Sequence, residues 1–173
     1  MIGQTTDLGQ ATIGDMLTVA IELEAGARRF YEGLAEMFAH IDEVAAFWRL
    51  FAADEAMHGS HLAKLRASLN VARLSEPANA EIMRAARKLL TPTAEEQLAE
   101  VRNLDDAYEI AHDLETSETN TIFRFMISEF SQDRRIVTAL MRHLDEHVER
   151  LMTGLPARFA TRAARAEVKA VRP

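Results

Sequence analysis

Hydrophobic positions recur with the three- and four-residue spacing of helices in four long stretches of the chain. The first, "MLTVAIELEAGARRFYEGLAEMF", predicts a helix from Ile13 to Phe38 with Thr12 as its N-cap. After the break "AHID" a second helix is expected from Asp42 to Asn70, close enough to the first to form an antiparallel hairpin. "LDDAYEIAHDLETSETNTIFRFMISEF" predicts a third over Leu104–Phe130, and "DRRIVTALMRHLDEHVERLMTGL" a fourth over Asp133–Leu155. Ser131 and Gln132 are the short turn of this second hairpin, and Gly154 and Pro156 end it. Residues 71–103, between the hairpins, hold Pro77, Pro92 and two short helical pieces, "AEIMRAARKLL" and "AEEQLAEV".

That connection is far longer than a turn requires and can cross the length of a bundle. Two antiparallel hairpins joined by one long crossover make an all-α, ferritin-like four-helix bundle over residues 1–155. The apolar faces are interrupted at their midpoints. "LFAADEAMHGSHL", residues 50–62, places Asp54, Glu55 and His58 in an otherwise apolar run, and Glu24 stands among Ile21, Leu23, Ala25 and Ala27. Glu24 lies about 16 residues before the first turn and Glu55 about 15 after it, which at about 1.5 Å per residue is one height. Glu115 and His147 are related in the same way across the second turn. Burying uncompensated carboxylates is costly, and a metal ion removes the cost. One Glu from each of two helices and a Glu-x-x-His from the others is what a dinuclear iron or manganese centre takes from a bundle.

Composition agrees with helix and narrows the chemistry. The chain has 173 residues, 48% of them hydrophobic, with 7 Gly and 4 Pro, enough for one well-cored domain. Its net charge of −7 argues against nucleic-acid binding. Positive charge collects in residues 156–173, where Arg158, Arg162, Arg165, Lys169 and Arg172 face only Glu167, and a basic, solvated and frayed tail is expected there. With no Cys, the chain offers no thiolate for disulfides, rubredoxin-type iron or Fe–S ligation. No run approaches the 18 or so apolar residues of a membrane span, and the start lacks a secretory signal pattern, so no membrane association and a cytoplasmic location are expected.

These residues together resemble the rubrerythrin-like branch of the ferritin-like di-iron superfamily, over about residues 13–155. "EAGARRFY" supplies Glu24 and, seven residues on, Tyr31, which the resemblance implies contacts the site. D-E-x-x-H is matched by Asp54, Glu55 and His58, with Asp54 implied to orient a histidine from the opposite hairpin. E-x-x-E is matched by Glu115 and Glu118. The fourth helix departs from the family: before His147, the places of its Asp and of its bridging Glu hold His143 and Leu144. The implied metal ligands are therefore Glu24, Glu55, His58, Glu115, Glu118 and His147, with His143 as an added nitrogen donor and Tyr31 as the catalytic contact. A single zinc or iron, or an asymmetric pair, stands beside the standard di-iron centre.

His61 and His112, each three positions from a candidate ligand, are read as edge histidines, and His40 as a solvated turn residue. Trp48 and the eight Phe are read as core. The resemblance implies a di-iron oxidoreductase that reduces peroxide or dioxygen in oxidative-stress defence, with iron as cofactor and zinc or manganese as alternatives. It would take electrons from an external donor and form a homodimer. A metal-binding or iron-handling protein without turnover, and a bundle with a decayed site that serves oligomerisation, are the competing readings.

Overall fold

A computed structural model describes residues 10–116 and 118–172, without the side chains of residues 118–120. The first hairpin pairs α1 (Ile13–Met37) with α2 (Asp42–Ser68), the most extensive contact between elements. The crossover carries α3 (Val71–Leu74), α4 (Ala80–Leu89) and α5 (Ala94–Glu100). The second hairpin consists of α6 (Leu104–Thr116) and α7 (Glu118–Phe130) on its first side and α8 (Arg134–Thr153) on its return. A 3-10 turn at Ala157–Phe159 and α9 (Arg162–Glu167) follow. Among the described residues there is no strand, only isolated bridges at Thr12–Pro77 and Asn103–Lys169. No helix among them is long and apolar enough to cross a membrane.

Local chemistry sets the ends. Thr12 accepts a hydrogen bond from the Asp15 amide at 3.1 Å while Asp15 accepts from the Thr12 amide at 2.9 Å, a reciprocal cap for α1. Asp133 likewise accepts from the amides of Arg135 and Ile136 to start α8. Gly154 ends α8 where a Cβ would lie 2.6 Å from the Arg150 carbonyl and 3.0 Å from Phe47, so only glycine fits. The expected continuation of α2 to Asn70 does not occur, because Asn70 accepts from the Arg73 amide and caps α3 instead. The expected third helix is described in two parts, on either side of Ser117, which lies outside the described residues.

The C-terminal segment corrects an expectation. Rather than fraying, it folds back onto the start of α6. Asp105 is buried in the first turn of α6, and Arg165 and Arg162 donate to its carboxylate at 3.0 and 2.9 Å. The Arg165 guanidinium also lies 4.1 Å from the centre of the Tyr108 ring. Backbone bonds from Leu104 to Val168, from Ala170 to Arg102 and from Val171 to Met37 tie the segment to both hairpins. The basic residues thus answer a buried acid, a pairing across 60 positions of sequence that no local pattern shows.

The core falls into two apolar clusters stacked along the bundle. One contains Phe38, Phe47, Trp48, Phe51, Leu104 and Leu151, the other Ile13, Leu17, Leu62, Phe123, Phe130 and Leu144. On every long helix the change from one cluster to the other falls at a polar residue. Leu23 and Ala27 flank Glu24, Ala52 and Leu62 flank Glu55 and His58, Ala111 and Ile122 flank Glu115, and Leu144 and Leu151 flank His147. The bundle therefore carries one polar layer at mid-height, closed by oil above and below.

Candidate metal centre

Five side chains form that layer: Glu24, Glu55, His58, Glu115 and His147, each no more than 5% exposed. Their donor atoms gather in two groups, Glu24 with Glu55 and His58, and Glu55 with Glu115 and His147, within each of which the ligand atoms lie within 4.8 Å of one another. Glu55 belongs to both. His58 Nδ1 is 3.1 Å from Glu55 Oε2 and 3.5 Å from Glu24 Oε2. His147 Nδ1 is 2.9 Å from Glu115 Oε2 and 3.7 Å from Glu55 Oε1. The helical i, i+3 spacing puts Glu55 and His58 on one face of α2, and the bundle brings the other three to the same height.

Burial and mutual charge set the electrostatics of the layer. Burial pushes the Glu24 carboxyl up to about 7, with the Glu115 charge adding to it and a hydrogen bond with Glu55 opposing. Burial and the adjacent Glu24 charge hold Glu55 well above the usual carboxylate range. Burial works against charging His147, yet hydrogen bonds to Asp54 and Glu115 push it up to about 10. Three buried carboxylates with two imidazoles are hard-oxygen and nitrogen donors suited to iron, manganese or zinc, and the raised carboxyls are those that a divalent ion would ionise. The residues present fit such an ion.

Tyr31 is fully buried and its hydroxyl donates to Glu115 Oε1. Burial, then the neighbouring Glu115 charge, raises this phenol well above its ordinary value, so it keeps its proton. Its ring stacks on Trp48 and tilts against Phe51, so the residues read as plain core also form the dry wall beside the centre. On the other side of His147, Nε2 faces Asp54 Oδ2 at 3.4 Å. Burial opposes ionising Asp54, but the hydrogen bond with His147 and the Arg150 guanidinium at 2.7 Å keep its carboxyl below the ordinary value. Arg150 is a participant that sequence reasoning passed over. The only signal was its position one turn beyond His147, and nothing local linked it to Asp54 on another helix.

Other candidates stand elsewhere. His143 is in neither group: its Nε2 faces Asp54 Oδ1 at 3.5 Å, so the structure does not bring it together with the donors of the centre. The Glu118 side chain lies outside the described residues. Leu144 is fully buried in the lower apolar cluster and brings no oxygen to the layer. His112 is at the surface beside Asp113, and His40 is exposed in the first turn.

The sequence profile of the Rubrerythrin family matches residues 15–155. No curated protein matches the chain. A solved crystal structure from Thermotoga maritima, described as a ferritin-like diiron-carboxylate protein, is similar, with a TM-score of 0.55 and 24% identity over 82% of this chain and 93% of that one. That likeness shows a shared ferritin-like fold, and the profile match over most of the sequence carries the assignment. The chain belongs to the rubrerythrin family.

Proposed function

We propose that the protein is an iron-dependent oxidoreductase that reduces peroxide or dioxygen, acting as a homodimer with electrons from a separate donor protein. The observation that carries this reading is the double membership of Glu55, a buried carboxylate with one oxygen toward each of two three-donor groups. Such sharing serves two ions a few ångströms apart better than one. Glu24 and His58 would hold one ion and Glu115 and His147 the other, with Glu55 between them and Glu118 one turn beyond Glu115. When bound, two reduced iron ions supply the pair of electrons needed to cleave an O–O bond. The chain's own residues do the rest. Tyr31 holds a proton against Glu115 Oε1, Asp54 fixes the ring of His147, and Trp48 and Phe51 keep water from the tyrosine side. The test is metal analysis of the purified protein, followed by single-turnover oxidation of the reduced form by hydrogen peroxide. Rapid oxidation with two ions per chain supports the reading, and a chain that binds no metal rejects it.

One observation favours a second reading, metal binding without turnover. Leu144 stands at the position that the resemblance assigns to a bridging carboxylate, and it is fully buried as a member of the lower apolar cluster. A stoichiometry of one ion per chain, inert to peroxide, would select it.

A further inference from the structure

The centre is sealed, with Glu24 4%, Glu55 5% and His58 1% exposed, so an ion must cross a boundary of side chains to reach it. Tyr31, Trp48 and Phe51 close one side with stacked rings. On the other, a cavity of about 300 Å³ opens between α2 and α8, lined among others by Met57, His61, Leu140, Arg142, His143 and Glu146. His143 is its inner wall. That ring lies 5.4 Å from the His58 ring and 6.0 Å from the His147 ring, so a single side chain separates the cavity from the centre. A second cavity of about 480 Å³ shares His61 and Ile136 with the first and extends it toward the α7–α8 turn.

One of the two cavity histidines, His61, is held at a ring nitrogen by a hydrogen bond. His61 Nδ1 lies 2.9 Å from the Met57 carbonyl, which can only accept, so Nδ1 carries the hydrogen and Nε2 keeps a lone pair. His143 Nε2 lies 3.5 Å from Asp54 Oδ1 but makes no hydrogen bond among the described residues, so this imidazole keeps a buried nitrogen open beside the centre. A ring held at one nitrogen by a carbonyl or carboxylate is how proteins aim the other at a metal. Glu146 adds a carboxylate whose pairing with Arg142 is loose, 3.6 Å between side chains 59% and 77% exposed, and therefore exchangeable. Beyond His143, His58 Nε2 is buried with no hydrogen-bond partner, the ring atom not turned to Glu24 and Glu55. Unlike the donors within each group of the centre, these three are not gathered within 4.8 Å of one another, which suits brief residence rather than tight binding.

We infer that His61, His143 and Glu146 form a transient divalent-cation site through which ions pass to the buried centre. The inference rests on the metal centre proposed above. The test uses Co²⁺ added to metal-free, full-length protein, with uptake followed by ligand-field absorbance in stopped flow and the final stoichiometry measured separately. His61→Ala and Glu146→Gln should each slow uptake several-fold, and together about tenfold, because the local ion concentration at the mouth falls. Final stoichiometry should not change. Glu149→Gln removes the same charge from an exposed position of α8 outside the cavity and should leave the rate at that of the wild type. The inference is overturned if the double variant loads at the wild-type rate, or if Glu149→Gln slows uptake as much as Glu146→Gln. Wild-type protein that binds no Co²⁺ would overturn the metal centre and this site together, whereas normal loading of wild type and variants alike removes this site alone.

Discussion

Glu55 and Leu144 contrast in chemistry, one a carboxylate shared by both donor groups of the polar layer, the other a fully buried apolar side chain in the cluster below it. Glu55→Ala should empty both ion positions at once, seen as near-complete loss of metal from protein purified under identical conditions. The metal-free variant should be no less stable than metal-free wild type, because it discards a carboxylate that burial already disfavours. His61→Ala should keep the wild-type metal content at equilibrium. Leu144→Glu tests the layer from the other side. With two ions nearby the new carboxylate is compensated, and both stoichiometry and peroxide reactivity should rise. With none it is a lone charge in the core and should cost several kcal/mol. Thermal unfolding with and without ferrous ion separates the two, and destabilisation that iron does not relieve would count against a second ion.

At the scale of elements, the clamp between the C-terminal segment and α6 is a buried ion pair with a two-sided energetic signature. Asp105 and Arg165 have side chains 7% and 10% exposed, whereas Arg162 is 78% exposed. Removing Arg165 leaves the buried Asp105 with only the exposed Arg162 as a charged partner among the described residues. Arg165→Leu should therefore destabilise the protein by about 3 kcal/mol, and Arg162→Ala by less than about 1 kcal/mol. Limited proteolysis should cut residues 157–172 first in Arg165→Leu, while Arg162→Ala resists like wild type. Equal resistance of both variants would mean that the backbone bonds to Met37, Arg102 and Leu104 suffice to hold the segment.

For the whole molecule, the layer makes stability depend on pH in a direction that metal should reverse. The Glu24 carboxyl is raised from 4.5 to about 7 in the folded chain, so between those values the folded state holds a proton that the unfolded state has lost. Metal-free protein should thus be most stable below about pH 4.5 in this respect and lose about 3 kcal/mol as pH rises to 7. His147, raised from 6.5 to about 10, has the same sign: its contribution is full below 6.5 and is lost as pH rises through about 10. Metal binding must expel these protons, so the rise in melting temperature on adding Zn²⁺ or Fe²⁺ should be larger at pH 8 than at pH 5. A metal-induced shift that is equal at both would argue that the ion binds elsewhere.

The sequence by itself determined the helices, the two turns, the long crossover and the height of the polar residues, because each follows from local spacing and the fixed rise of a helix. Glu24, Glu55, Glu115 and His147 could be placed at one level in that way, and the D-E-x-x-H and E-x-x-E spacings pointed to their chemistry. Tertiary structure alone decided what faces what around the layer. That His143 turns to Asp54 and not to the carboxylates, that Arg150 anchors Asp54, and that Arg165 closes on Asp105 are contacts between residues far apart in the chain. Spacing along one helix fixes a residue's height and face. The rotation and separation of neighbouring helices, which set distances across the bundle, arise from packing two apolar clusters around a charged layer, and no single segment carries that information.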